Sequence, residues 1–507
     1  MSLQFYQFKS TTFTTRQTVF AGICLLAGYF ISSYIPVFLH PMAGFLGLLV
    51  LLAITLGCLI VQKHKLILPC WIGILFFFVL SAAVILSENT LIVTLAFLLA
   101  IATLCYIVSS AKGSRMETGF SDYLYLDLLR SLIIPFSTMT AIFDALFGNL
   151  SGKGFRYLGK IALGAAIAVI PTIIVFANLS YDDGFRTILN DLFDIDAQQV
   201  IEWLSKLCLG TFVGMYLFGL LIPNLNQPEL LTAEKNKQAF AKLRILPQIT
   251  ALSAAIPILF LYVVFFISQW QYYISGFTGV LPEDFSYATY AREGFFQLCT
   301  VSAINLVIII AISLMIRRGQ TNRAPVLKIL TCVFCLFTLV LISTAVAKLV
   351  MYIDFYGLTQ KRFYAMWAIA VITLVFLVIA LGQFIRRLKT VAISMCIVGI
   401  LFGFLCVCNV NAITAQYNVD RYLSGSLESI DPDAMEDLGA SAIPPLVELL
   451  ENTTIVQGPV AWDVRNEIRN YLTEYADKYQ EESPGFMDLR IVDYQAIDAL
   501  KEYGFIE

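Results

Sequence analysis

The stretch LKILTCVFCLFTLVLISTAVAKLVMYIDFYGLTQKRFYAMWAIAVITLVFLVIALGQFI, residues 327–385, decides the fold class. Two long apolar runs flank a short polar, aromatic segment, YIDFYGLTQKRFY (352–364). A helix of about 20 apolar residues is as long as the ~30 Å hydrocarbon core of a bilayer is thick. The pair therefore reads as two spanning helices joined on one side of a membrane. Similar runs recur at about 18–39, 42–62, 67–86, 90–110, 161–179, 208–224, 246–270, 296–316 and 390–410. The expected fold is all-α: a polytopic transmembrane bundle of about 11 spans with a small α-helical extracytoplasmic C-terminal domain.

Composition agrees. The 507 residues are 59% hydrophobic and 14% charged, against about 25% charged for a soluble domain. The net charge of −3 gives no basic excess for nucleic acid, so no nucleic-acid partner is expected. The charge is uneven. Residues 411–507 hold 19 acidic and 6 basic residues, which leaves the rest of the chain about +10. Lys and Arg concentrate on one side of the threaded chain, which the positive-inside rule makes cytoplasmic. With an odd span count, the N-terminus is cytoplasmic and the acidic tail lies outside. The first run is read as a retained span, being too long for a cleaved leader.

Four regions follow. Residues 1–110 carry four N-terminal spans. Residues 111–160 form an interfacial helical segment at the cytoplasmic face, where Pro135, Asp127 and Arg130 interrupt an apolar pattern. Residues 161–410 are a seven-span core with outer loops 180–207, 271–295 and 348–364. Phe185, Ile188, Leu189, Leu192 and Phe193 give the first loop one apolar helical stripe. Residues 411–507 are the acidic tail. Its NAITAQYNVDRYL start continues the last span. A short helix, a second from near Pro444, a third with Val464, Ile468, Tyr471 and Leu472 on one face, and a fourth near 491–503 follow.

The candidate site is a convergence on the outer side. LPEDFSYATYAREGFF (281–296), YIDFYGLTQKRFY (352–364) and AQYNVDRYL (415–423) fall on one face of the membrane. They bring together Glu283, Asp284, Tyr287, Tyr290, Arg292, Glu293, Asp354, Tyr356, Lys361, Arg362, Asp420 and Arg421. Arg and Tyr together suit anionic headgroups, sugars or peptide ends. The same residues also suit salt bridges and an interfacial aromatic belt. If 284–296 is helical, Tyr287, Tyr290 and Glu293 share a face, and Arg292 points elsewhere, toward Asp354 or Asp420.

Tests for familiar chemistry are negative. The two histidines, His40 and His64, lack partners at metal-ligand spacing. Cys332 and Cys335 make the one C-x-x-C, inside an apolar run. FGNLSGKGF (147–155) fails the P-loop spacing. No metal and no cofactor is expected. A transporter reading needs polar groups at membrane depth, where Asn305 and Gln248 are the notable ones, and Asn305 also suits an interhelical hydrogen bond. An enzyme acting on envelope lipids or glycans would draw on Glu283 or Asp284.

Four pieces, AVIPTIIVFANLSYDDGF (168–185), FSYATYAREGFFQL (285–298), YGLTQKRFY (356–364) and NVDRYL with LGASAIPPL (418–423, 438–446), resemble a family of bacterial integral membrane proteins. That family is a domain of unknown function of the 4173 type, and the likeness covers roughly residues 120 to 450. The resemblance implies a bacterial inner or cytoplasmic membrane protein. It implies no activity and carries over no catalytic residue. The leading expectation is a sensing, scaffolding or partner-binding protein of the cell envelope, leaning away from an enzyme. Its partners are the lipid bilayer and an envelope lipid, glycan or protein at the outer face. The alternatives are an envelope lipid- or glycan-modifying enzyme and a transporter.

Overall fold

The structure, a computed structural model, describes residues 13–33, 40–113, 122–147, 197–222, 245–268, 287–315, 325–385, 387–452, 459–482 and 484–506, with isolated helical positions at 164, 168, 171 and 175. Residues 287–299 are described by their backbone alone.

Every described element is helical. In chain order they are α1 Thr15–Ser33, α2 Pro41–Val61, α3 Leu68–Leu86, α4 Thr90–Ala111, α5 Leu124–Thr138, α6 Ala141–Phe147, α7 Ala197–Leu221, α8 Gln248–Ser268 and α9 Tyr287–Met315. They continue with α10 Pro325–Tyr356, α11 Gln360–Phe384, α12 Thr390–Val407 and α13 Val410–Leu423. The tail adds α14 Pro432–Glu436, a 3-10 turn Gly439–Ala442, α15 Ile443–Glu451, α16 Pro459–Glu482 and α17 Ile491–Glu502. Seven of the described helices are long and apolar enough to cross a membrane: α2, α3, α4, α7, α10, α11 and α12.

Helix ends are set by local chemistry. Asn89 Oδ1 accepts from Leu91 N (3.0 Å) and Ile92 N (3.2 Å) and starts α4. Pro41 takes the first position of α2, where its missing N–H costs nothing. At the C-terminus of α7, Lys112 Nζ donates to Leu220 O and Leu221 O, both at 2.8 Å, and Gln62 Nε2 donates to Leu221 O at 3.0 Å. These side chains satisfy carbonyls that a helix end leaves open.

Close packing of α1 on α7 rests on glycine. A Cβ on Gly210 would lie 2.6 Å from Tyr29 Cα, and one on Gly214 would lie 2.7 Å from Cys24 O. Both obstacles are backbone, so the G-x-x-x-G spacing is what lets the helices touch. One apolar core joins α1 to α7 with α12, and smaller clusters join α8 through α11. The tail has its own core around Leu446, Leu450, Ile468, Leu472, Ala496 and Leu500.

The bundle has two chemically different ends. One gathers the 62–67 turn, Lys112, Asp122 and Lys389, with Asp122 capping α12 through Val391 N (3.0 Å) and Ala392 N (3.1 Å). The other carries His40, the 87–89 and 357–359 turns, and the tail. α5 and α6 meet at 41° and pack on α4, α7 and α1. α5 is amphipathic in reverse. Asp127, Arg130, Ser131 and Thr138 are buried against protein, while Leu129, Ile133 and Phe136 are exposed. An apolar face turned outward is stable where the surroundings are lipid.

Several boundaries depart from the hydropathy reading. The expected outer loop 348–364 shrinks to residues 357–359, because α10 runs on to Tyr356 and α11 begins at Gln360. Helix also enters the expected loops 180–207 from Ala197 and 271–295 from Tyr287. The chain does not continue straight from the last span into the tail. It breaks at Cys408–Asn409, where Asn409 Oδ1 accepts from Ala412 N (3.1 Å) and starts α13. The stripe from Phe185 to Phe193 lies outside the described residues.

Candidate functional site

The tail-side end is built from two polar locks. The first is the turn between α10 and α11. Gly357 has φ +75°, the left-handed conformation that ends a helix. A Cβ there would lie 2.7 Å from Asn418 Oδ1, so glycine is needed for space as well as for φ. Asn418, on α13, accepts from Leu358 N (2.7 Å) and donates to Leu358 O (2.8 Å). One side-chain amide thus pairs with both backbone groups of a buried turn residue, as a neighbouring strand would.

Two arginines complete this lock. Arg362 donates through Nη1 to Tyr356 O (3.1 Å) and to Gly357 O, closing the end of α10. Its guanidinium lies 3.9 Å from the centroid of the Tyr352 ring. Arg421 donates to Ile353 O (3.2 Å), Asp354 O (3.0 Å), Ser426 O (2.9 Å) and Ser426 Oγ (3.2 Å). Its fork also lies 3.6 Å from Asp354 Oδ1. A planar five-donor group is suited to tying two helix ends together in this way.

The second lock is Glu88, in the turn between α3 and α4. Its carboxylate accepts from Ala440 N (2.9 Å), Ser441 N (3.3 Å), Ser441 Oγ (2.5 Å) and Asn411 Nδ2 (3.4 Å). Gly439, at φ +67°, makes room, since a Cβ there would lie 2.7 Å from Glu88 Oε1. Asn411 also donates to Leu438 O (2.9 Å) and accepts from Gln360 Nε2 (2.6 Å). Burial raises the Glu88 carboxyl above the ordinary carboxylate range, and the Ser441 hydroxyl pulls it back. The Asp493 carboxylate adds to the rise, and backbone N–H donors oppose it. Asp493 is itself raised by burial, against its bond from Arg490 N at 2.6 Å. Tyr471 and Tyr475, packed over these acids, are pushed up by burial and by the negative charge beneath them.

Beside the Glu88 lock opens a cleft of about 380 Å³, lined by Glu88, Thr90, Gln360, Asn411, Asp437 and Gly439 among others. Its wall is amide and carboxylate, chemistry that suits a hydroxyl- or amine-bearing ligand. Among the described residues, no group of three or more His, Cys, Asp and Glu is placed to hold a metal. The ten described cysteines, Cys332 and Cys335 included, are free thiols.

The sequence-based site divides unevenly. Asp354, Tyr356, Arg362 and Arg421 come together in the first lock, and Asp420 accepts from Gln416 Nε2 at 2.9 Å on the outer side of α13. Lys361 is exposed at the start of α11. Glu283 and Asp284 lie outside the described residues. Tyr287, Tyr290, Arg292 and Glu293 belong to the first turns of α9, but their side chains, and the expected pairing of Arg292, lie outside the description. Gln248 is the first residue of α8 and not a mid-span group. Asn305 is fully buried between helices, accepting from Tyr262 OH (2.6 Å) and donating to Thr338 Oγ1 (2.8 Å).

Sequence reasoning missed Glu88, Asn411 and Ser441. A lone acid in the four-residue polar break SENT (87–90) between two apolar runs was the available signal. Nor did spacing reveal that His40 Nδ1 meets Asp488 Oδ1, 448 residues away, at 2.5 Å.

No curated protein and no solved structure is significantly similar to this chain. A family model does match, over residues 74–449, which takes in α4 through α14 and both locks. It corrects the 4173-type designation expected from the motifs. The chain belongs to the family described as "Domain of unknown function (DUF4153)".

Proposed function

We propose that this chain is an integral membrane protein of the bacterial cell envelope that works by binding: a sensor or scaffold whose docked helical tail presents a surface to an envelope lipid, glycan or protein. The observation that carries this reading is the pair of polar locks. They hold the tail against the 87–89 and 357–359 turns through hydrogen bonds spread over those two turns, α10, α11, α13 and the 3-10 turn. A tail held this way turns the bundle end and the tail helices into one recognition surface, with the cleft at their seam.

Eleven spans, with that of 161–179 among them, give the topology its odd parity. Lys63, Lys65, Lys112, Arg387 and Lys389 at the end away from the tail favour a cytoplasmic position for that end. Exposed Phe355 and Tyr356 at the tail-side end of α10 suit an aromatic belt at the opposite membrane surface.

The test is a photo-reactive residue at Asp437, on the cleft rim, in intact membranes. A specific adduct is expected that disappears when Arg421→Ala and Asn418→Ala loosen the first lock. The same residue placed at Glu467, on the exposed side of α16, serves as control. Purified protein that turns over a lipid or glycan, and loses the activity on Arg362→Ala, would overturn the binding reading.

A further inference from the structure

The tail contains a turn whose tip has the wrong polarity for water. In Pro484–Asp488, Asp488 N donates to Gly485 O (2.9 Å), and Gly485 N donates to Asp488 Oδ2 (3.1 Å). The backbone and one side chain close the same four-residue turn and present its two central residues outward, with the Phe486 ring resting 6.3 Å from that of Tyr494 on α17. Those residues are Phe486 and Met487, 60% and 46% exposed. Rigid turn tips facing water usually carry Gly, Asn, Asp or Ser. A fixed apolar pair here points to an apolar environment.

Where the turn sits says what that environment is. The other oxygen of Asp488 meets His40 Nδ1 at 2.5 Å, and His40 immediately precedes α2. α2 has 21 residues, all uncharged. At 1.5 Å per residue it is about as long as the hydrocarbon core is thick. Its first residue therefore lies at the boundary between acyl chains and headgroups. Leu46 and Val50, further along α2, are exposed toward the same lipid. The latch fixes Phe486 and Met487 within a few residues' reach of that boundary. Exposed Glu481 and Glu482, just upstream at the end of α16, keep the contact shallow, because carboxylates stay in the hydrated layer.

We propose that the Gly485–Asp488 turn is a membrane-surface anchor: Phe486 and Met487 insert into the headgroup layer of the leaflet on the tail side, and the His40–Asp488 pair sets their depth. The partner is the lipid surface. The two exposed apolar side chains recognise it, as on the apolar face of an interfacial helix. Anchoring gives the tail a third attachment that the two polar locks do not supply. The inference holds whichever leaflet the tail faces, so it does not depend on the proposed topology or on any ligand in the cleft.

The experiment uses the full chain reconstituted in phosphatidylcholine vesicles, with Phe486→Trp read as a difference against the parent and its five native tryptophans. The expected result is added emission that loses most of its intensity when the lipids are brominated near the glycerol. Bromines near the acyl-chain ends and aqueous iodide should have little effect. Met487→Trp repeats the test at the neighbouring position should the first variant fold poorly. His40→Ala, combined with either, should shift the added emission to the red and open it to iodide. Iodide quenching as strong as for free tryptophan in the latched protein would overturn the anchor, as would emission that neither lipid nor iodide reaches. An unchanged spectrum after His40→Ala would overturn the role given to the latch.

Discussion

Glu88 carries more of the tail's attachment than any other single side chain described, because four donors converge on it from two elements of the tail. Its folded-state carboxyl is raised above the ordinary value of 4.5, chiefly by burial. The folded protein therefore takes up this proton more readily than the unfolded chain. The resulting stabilisation is fully present below the ordinary carboxylate range and is lost as pH rises through the raised value. Asp493, raised for the same reason, adds a slope of the same sign. Glu88→Gln should flatten the pH dependence of the melting temperature across this window. Glu88→Ala, which strands the Ala440 and Ser441 N–H groups, should lower stability at neutral pH by about 1–3 kcal/mol. A variant whose pH profile runs parallel to the parent's would show that Glu88 is not the group responsible.

Among the helices, Asn305 gives a clear measurement. It bridges α8 and α10 from its place on α9, so its removal strands the Tyr262 hydroxyl. Interhelical hydrogen bonds in membranes average about 0.6 kcal/mol and reach about 1.7. Asn305→Leu should cost about 1 kcal/mol in chemical unfolding, and Tyr262→Phe should add little once Asn305 is gone. Full additivity of the two substitutions would mean the bond contributes nothing. Elements of this kind also show what a sequence can tell. α2, α3, α4, α11 and α12 were legible from apolar length because a bilayer imposes that length. α10 was not legible to its end. Hydropathy marks where lipid stops, whereas the helix stops at Gly357, where φ turns positive and Asn418 takes over the backbone bonds. The same holds at Asn409, whose capping amide breaks what looked like one continuous run.

On the scale of the whole molecule, the sequence led to the expectation that three polar segments share one membrane face, and two of them, 352–364 and 415–423, meet at the tail-side end. It could not show which side chains would pair. Glu88 and Ser441 are 353 residues apart and Gly357 and Asn418 about 60, with no local periodicity linking either pair. Arg362 and Arg421 looked available for a ligand, yet Arg362 Nη1 and both Nη groups of Arg421 donate to carbonyls of α10 and its turn, and Arg421 also donates to Ser426. Recognition chemistry and helix-end chemistry use the same residue types, so composition alone does not separate them. The central claim is that the tail and the bundle end form one body. Amide hydrogen exchange in lipid nanodiscs tests it most directly. The account predicts strong protection of the Leu358, Ala440 and Ser441 amides. Asn418→Ala should release that of Leu358 and Glu88→Ala those of Ala440 and Ser441, while Ile468 and Leu472 in the tail core stay protected. Free exchange of Ala440 and Ser441 in the unaltered protein would mean the tail is not docked, and would contradict the account.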